Sequence, residues 1–328
     1  MNRRHFLASS VAFGAAAAFP GLAARAASYS GRDLSGTTLR IGVASQVGPN
    51  VRLAAAGLLE TPYKIEWATF PAAPPALEAL NAGHIDVFAG GDTAVLGLAA
   101  NPGRSVVVGA ANGTLFGALL VPRESKITSV AELKGKKIAV FRGAGFHYSV
   151  YQILRNAGIA WNEIEPVYLP PSDALSALNS GAIDAWGIWD PNAAVAQIKH
   201  GARILATPPR FSYGFQYANK KSLEDANIEA AIFDHLVRDY KAFEWIAGHH
   251  DAWAEQQVKV AKLDPEVAKL AASRSPSGAF LPIDDKLIGE MQQVGDTFTE
   301  FGIIPKKVDV SAAFDGRFNA ELAEKTRG

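Results

Sequence analysis

A glycine-containing loop at residues 142–147, with the sequence RGAGFH, is the part of this chain best suited to bind an anion. Gly143 and Gly145 allow backbone to approach a ligand closely. A helix predicted to begin near Phe146 would add unpaired N–H groups and the partial positive charge of its N terminus. A sulfonate or phosphate group fits that description. The alternative is a tight turn between a strand and a helix that binds nothing.

Two side chains of this loop could add to binding. His147 could donate an N–H from the first helical turn to an anionic oxygen, and the alternative is an ordinary surface histidine. Arg142 could add positive charge, although a solvated arginine is the simpler interpretation. His249 and His250 are adjacent and cannot share a helical face, and the sequence has no HExxH motif, so we infer no metal site.

Two aspartates and two tryptophans form a second candidate group. Asp190 precedes Pro191, an arrangement typical of helix capping, and Asp92 holds the matching place earlier in the chain. Besides capping, one aspartate could meet a cationic group on the ligand, as in an aminosulfonate. Trp186 and Trp189 fall in and at the end of a short predicted strand. They are either core residues or an aromatic wall for the ligand's tail.

An internal repeat predicts the elements that position these residues. Residues 76–92 (ALEALNAGHIDVFAGGD) align without gaps on residues 174–190 (ALSALNSGAIDAWGIWD), with nine of seventeen positions identical. Each copy reads as a helix end, a terminating glycine, a strand and an aspartate. The predicted helix stops are Gly83 and Gly181, and the predicted strand starts are Ile85 and Ile183. The alternative is a generic helix–strand turn that occurs twice.

Further strands are predicted upstream of each copy, at residues 39–44 and 137–141, so both halves share a strand, helix, helix, strand order. This alternation predicts an α/β fold with two lobes, each a parallel-rich sheet flanked by helices. The last third of the chain shows helical patterns, such as residues 228–247 and 284–301. Because these helices lack a sheet of their own, we expect them to pack on lobe one.

The order of the elements predicts the domain organisation. Lobe one is expected at residues 27–114 and is completed by residues 219–328, and lobe two is expected at residues 115–218. The chain would then cross between the lobes near residues 115–120 and 211–218. Two such crossings predict a hinge.

The first 26 residues have the features of an export signal. Arg3 and Arg4 precede a mild apolar run, and Ala-Arg-Ala at residues 24–26 offers a cleavage site, so residues 1–26 are predicted to be a signal peptide. The paired arginines resemble a twin-arginine signal, and an ordinary secretory signal is the alternative. The apolar run is too short to span a bilayer. We therefore expect an exported, soluble, periplasmic protein.

Composition excludes several classes of function. Three of the 32 basic residues and none of the 32 acidic residues lie in the first 26 positions, which leaves 29 basic against 32 acidic residues, a net charge of −3. That balance gives no reason to expect nucleic acid as a partner. The sequence has no cysteine, which excludes disulfides, catalytic thiols and a lipid-bearing cysteine. We expect a monomer with no cofactor and no lipid anchor.

Residues 141–191 resemble the aliphatic sulfonate-binding proteins of ABC importers, within the wider nitrate, taurine and sulfonate group. The similarity rests on FRGAGFHYSVYQIL and EPVYLPPSDALSALNSGAIDAWGIWDP, of which DAWxIWDP is the most specific part, and it extends through LKGKK at residues 133–137 over nearly the whole chain. The resemblance implies a type II periplasmic binding protein that delivers an aliphatic sulfonate to a membrane ABC permease. It also implies that the loop at residues 143–147 contacts the sulfonate.

The candidate ligand-binding residues combine both lines of argument. They are Gln46, Gly91, Asp92, Asn112, Gly143, Ala144, Gly145, Phe146, His147, Trp186, Trp189 and Asp190. Relatives often carry serine where this chain has Ala144 and Gly145, so sulfonate, carboxylate and nitrate all stay open as ligands.

Other functions stay open as well. The alternatives are a binding protein for nitrate, taurine or another small anion or heterocycle, a sensory module, and an enzyme on the same scaffold. The fold resembles that of sulfinate desulfinases, which need a cysteine nucleophile, and of thiamin pyrimidine synthases, which need a cysteine-rich iron segment. This sequence has neither, so we expect no enzymatic activity.

Overall fold

The computed structural model describes residue 29 and residues 32–44, 47–70, 72–113, 115–209, 212–275 and 278–326. The predicted signal peptide at residues 1–26 lies outside these ranges. The described strands are β1 (Thr38–Val43), β2 (Lys64–Thr69), β3 (Val87–Gly91), β4 (Ser105–Ala111), β5 (Gly117–Val121), β6 (Lys137–Val140), β7 (Glu165–Tyr168), β8 (Ala185–Trp189), β9 (Arg203–Ala206), β10 (Gly214–Asn219) and β11 (Phe280–Leu281).

Helices follow most of the strands and dominate the last third of the chain. The described helices are α1 (Pro49–Ala55), α2 (Ala73–Asn81), α3 (Val95–Ala100), α4 (Gly145–Asn156), α5 (Pro171–Ser180), α6 (Asn192–His200), α7 (Ala226–Gly248), α8 (His250–Ala261), α9 (Pro265–Ser273), α10 (Asp285–Glu300) and α11 (Asn319–Lys325). Across the described ranges, none of these helices has the length and apolar character needed to cross a membrane.

The strands form two mixed sheets, one in each lobe. The first sheet has the order β11-β4-β10-β3-β1-β2 and the second has the order β7-β6-β8-β5-β9. The strands of the repeat are parallel in both sheets, because β1 pairs with β2 and β3 while β6 pairs with β7 and β8. The predicted two-lobed α/β fold is therefore confirmed.

The chain crosses between the lobes twice. After β4 in the first sheet the chain enters the second sheet as β5, and after β9 it returns to the first sheet as β10. Both strands run antiparallel to their neighbours. Parallel neighbours in one sheet need a crossover connection between them, usually a helix. A strand that arrives from the other lobe needs none, so it can run antiparallel to the strands of the repeat. These crossings form the hinge, while the residue boundaries of the lobes stay a prediction.

The two copies of the repeat share their local structure. Gly83 follows α2 with φ of 76° and Gly181 follows α5 with φ of 73°, a left-handed conformation that favours glycine. The strands then begin at Val87 and Ala185, later than predicted. Asp86 and Asp184 lie just before these strands and are not part of them. Their side chains form hydrogen bonds with neighbouring strands.

Each of these aspartates accepts a hydrogen bond from the first parallel strand of its own lobe, which is β1 for Asp86 and β6 for Asp184. Asp86 Oδ2 accepts from the Arg40 N–H at 2.9 Å, and Asp184 Oδ2 accepts from the Lys137 N–H at 2.8 Å. Because the same bond recurs in both lobes, the sequence repeat corresponds to a structural repeat.

The C-terminal helices pack on the first sheet, and one of them also contacts the second lobe. Phe233 and Leu236 of α7 lie in the core on one face of the first sheet, and Met291 of α10 lies in the core on its other face. Val267 of α9 packs against Ala194 of α6, which belongs to the second lobe. The C-terminal segment therefore contacts both lobes.

Candidate functional site

A cavity of about 1250 Å³ lies between the two lobes. The carboxyl ends of strands from both sheets meet there, which is where ligands gather in open α/β sheets. The first lobe contributes Gly91 and Asp92 after β3, and the second contributes residues 141–146 after β6 and Trp189 with Asp190 at the end of β8.

The loop after β6 presents two unpaired N–H groups to this cavity. Gly143 donates its N–H to His147 Nδ1 at 3.2 Å, and the Ala144 N–H bonds within the loop. The N–H groups of Gly145 and Phe146, at the start of α4, have no acceptor among the described residues. They lie at the start of a twelve-residue helix, where the helix dipole gives a partial positive charge that favours anions.

Two glycines give this loop its shape and its close approach to the first lobe. Gly143 has φ of 77°, which favours glycine at that position. A Cβ atom on Gly145 would lie 2.6 Å from Ser212 Oγ, in the crossing segment before β10, and 2.8 Å from Asp92 Oδ1, after β3 of the first lobe. The start of α4 therefore lies against the first lobe.

His147 does not line the cavity, which corrects the prediction that its ring donates to the ligand. The side chain is fully buried and packs between the rings of Trp161, Tyr168 and Phe298. Burial lowers the pKa of the imidazole to about 4, so the ring is neutral at neutral pH. Its Nδ1 accepts from Gly143, so His147 holds the loop in place.

Two other predicted residues that the structure describes are not found in the cavity wall. Trp186 is 1% exposed and lies in the core between the second sheet and its helices, because the alternation of β8 directs it away from the cleft. Asn112 is exposed beside the lining residue Ala111, and its N–H donates to the carbonyl of Ala279 at 2.8 Å. Gln46 lies outside the described residues.

Asp190 has a partner that the sequence did not indicate. Its Oδ1 accepts from the Ala194 N–H in the first turn of α6 at 3.0 Å, although Pro191 and not Asp190 holds the N-cap position. Arg274, just after α9, also binds it in a bidentate pair, with Nε 2.7 Å from Oδ2 and Nη2 2.6 Å from Oδ1. The guanidinium stacks on the Phe116 ring, 4.2 Å from its centroid.

A second ion pair lines the cavity on the side of the first lobe. Arg52 Nη2 lies 2.8 Å from Asp239 Oδ1, and both side chains are largely buried. Gln216 donates to the other oxygen of Asp239 at 2.8 Å, and the Arg52 guanidinium lies over the Phe243 ring. These residues are far apart in the sequence, so no local spacing could have indicated the pair.

Large apolar side chains form much of the remaining wall. Phe141 and Leu115 are each 40% exposed and both line the cavity. The Phe141 ring meets Trp189 edge to face at 6.5 Å between centroids. An apolar group that entered here would remove these surfaces from water.

Two α/β lobes that are joined by two crossings of the chain and enclose a cavity define a binding protein of the periplasmic type. Solved structures agree with this class. The periplasmic aliphatic sulphonate binding protein from Escherichia coli has a TM-score of 0.74 at 29% identity, over 85% of this chain and 92% of that one. The alkanesulfonate-binding protein from Xanthomonas axonopodis pv. citri, bound to MOPS, has a TM-score of 0.71 at 28% identity, over 85% and 98%.

Sequence comparison identifies the family. The family model described as NMT1/THI5 like matches residues 72–221. The aliphatic sulfonates-binding protein of Escherichia coli K12 is 33% identical over 258 residues, which cover 77% of this chain and 81% of that protein. The chain belongs to the family of aliphatic sulfonates-binding proteins.

Proposed function

We propose that this chain is a periplasmic receptor that binds an aliphatic sulfonate and delivers it to a membrane ABC transporter. The observation that carries the proposal is the pair of unpaired N–H groups on Gly145 and Phe146, at the cavity of a protein from this family. The relative from Xanthomonas holds MOPS, which is itself a sulfonate. We further propose that the receptor is a monomer and carries out no catalytic step.

The start of α4 would bind the sulfonate group. A sulfonate has three oxygens that accept hydrogen bonds, and the N–H groups of Gly145 and Phe146 offer two donors from adjacent residues. Because His147 occupies the Gly143 N–H, the loop keeps a fixed shape while these two donors stay unpaired. A preformed site of this kind loses little entropy when an anion binds.

The apolar wall supports a sulfonate with a carbon tail over nitrate or a small carboxylate. Phe141, Leu115 and Trp189 would be covered by a tail of several methylene groups, and each buried methylene contributes about 0.8 kcal/mol. Nitrate would leave this wall exposed. Nitrate, carboxylate and taurine are therefore the competing ligands that an experiment must separate.

Ligand screening tests the proposal directly. We expect propanesulfonate and butanesulfonate to raise the melting temperature of the purified protein by about 5 °C at 100 times the dissociation constant. Nitrate and acetate should give smaller shifts. Mass spectrometry of the recovered ligand should find it unchanged. Absence of stabilisation by every sulfonate would contradict the proposed function, and a modified ligand would favour the enzymatic alternative.

Trp189→Ala should weaken binding of butanesulfonate by about 1 to 3 kcal/mol, because the tail loses a large apolar contact. Isothermal titration against the wild type measures the change. The same substitution at Trp186, which lies in the core, should mainly lower stability. An unchanged affinity in the Trp189 variant would remove this residue from the proposed tail site.

A further inference from the structure

We propose that the ion pair between Asp190 and Arg274 sets the tail specificity of this receptor, so that it selects sulfonates with uncharged tails and rejects tails that end in an ammonium group. This inference rests on the proposed function and concerns a different part of the same cavity. It assigns to Arg274 a role in specificity that acts through Asp190.

Asp190 is placed where a ligand's tail would meet it. It follows Trp189 at the end of β8, lines the cavity and is 7% exposed. Its carboxylate accepts a hydrogen bond from the Ala194 N–H at the start of α6. An unpaired carboxylate in this position would attract an ammonium group.

Arg274 already neutralises that carboxylate. Its two bonds to Asp190 are short and parallel, the geometry in which arginine and carboxylate bind most strongly. The guanidinium is 15% exposed and stacks on Phe116, which fixes its plane. Both oxygens of Asp190 therefore have a cationic partner from the protein.

An ammonium group at the end of the tail would lose its hydration at this wall. The Asp190 carboxylate, which is already paired, would not compensate for that desolvation cost. The neighbouring surfaces, Trp189 and Phe141, are aromatic and suit a methyl-terminated tail. Of the other carboxylates that line the cavity, Asp239 is paired with Arg52 and Asp92 lies beside Gly145, where we place the headgroup. Glu78 lies on α2 of the first lobe and is exposed to water. The geometry thus favours simple alkanesulfonates over aminosulfonates.

Two matched ligand pairs test this inference by titration calorimetry. Propane-1-sulfonate is compared with taurine, and butane-1-sulfonate with 3-aminopropanesulfonate; each pair exchanges a terminal methyl for an ammonium group. For the wild type we expect the methyl member to bind about tenfold or more tightly than the ammonium member. In Arg274→Met, where Asp190 loses its cation, this preference should shrink by about tenfold or reverse.

Three further variants separate charge from structural damage. Arg274→Lys keeps a cation and should keep the wild-type preference. Lys199→Ala removes the neighbouring ion pair with Asp264, which also bridges α6 and the start of α9 but does not line the cavity, and should leave the preference unchanged. Asp190→Asn leaves Arg274 unpaired and should increase the preference for the methyl member, opposite to Arg274→Met.

The outcomes distinguish this inference from the proposed function. A wild type that favours the ammonium members, or an Arg274→Met protein that binds propane-1-sulfonate with the wild-type preference, overturns the inference and leaves the receptor role intact. If Arg274→Met does not fold, an unchanged preference in Asp190→Asn overturns it equally. A wild type that binds no sulfonate at all overturns the proposed function, and the inference with it.

Discussion

Gly145→Val is expected to lower sulfonate affinity by at least about 100-fold, the loss that corresponds to about 2.7 kcal/mol. A Cβ atom at this position would meet Ser212 Oγ at 2.6 Å and Asp92 Oδ1 at 2.8 Å, closer than packed atoms allow. Overpacking of this kind typically costs 1 to 3 kcal/mol, so we expect the lobes to be held apart. The branched side chain would also cover the N–H groups that we assign to the anion.

A matched glycine supplies the control. Gly289 lies within α10, and a Cβ atom there would meet nothing within 4 Å. Gly289→Val should therefore bind butanesulfonate as the wild type does. Circular dichroism of both unliganded variants would show that the fold is kept. A titration curve of wild-type affinity for Gly145→Val would mean that the start of α4 is only a turn and does not bind the ligand.

The fold was largely predictable because its signals are local. The two copies of the repeat each carry a helix, a terminating glycine, a strand and an aspartate within seventeen residues. A pattern this short can be recognised from the sequence alone. The parallel strands of both sheets followed from this pattern. The pattern did not predict that β5 and β10 run antiparallel to their neighbours. That direction depends on the lobe from which the chain arrives at each strand.

The residues that line the cavity were predictable where they follow the ends of strands, and less predictable elsewhere. Gly91, Asp92, Trp189 and Asp190 line it because the chain leaves parallel strands at one edge of each sheet. Trp186 was assigned to the site although the alternation of β8 places it in the core. Strand period therefore decides which aromatic residue of a short strand can face a cleft.

The partners of the buried charges could not be predicted. Arg274 is separated from Asp190 by 84 residues and Arg52 from Asp239 by 187 residues. No spacing rule connects residues that meet only after two lobes and a C-terminal segment have packed. Likewise, His147 was predicted to donate to the ligand, with a surface histidine as the alternative, and its burial depends on Phe298 of α10, far along the chain.

Asp86→Ala is expected to lower the free energy of unfolding by about 3 kcal/mol, since it leaves charged and polar partners without a buried acceptor. Asp86 is fully buried and accepts from the Arg40 N–H, Nε and Nη2 at 2.9, 2.9 and 2.6 Å, and from Ser222 Oγ at 2.7 Å. The carboxylate thus joins β1, the start of β3 and the segment after β10.

The internal repeat offers its own control at Asp184. This residue holds the same place in the second lobe, but it is partly exposed, and its described hydrogen bond is to the Lys137 N–H. Because water can replace that bond, Asp184→Ala should cost only about 1 kcal/mol. Urea unfolding with separate fluorescence and circular dichroism probes would measure both losses, and would show whether the lobes unfold together. Equal losses of unfolding free energy in the two variants would mean that burial does not determine how much this repeated hydrogen bond contributes to stability.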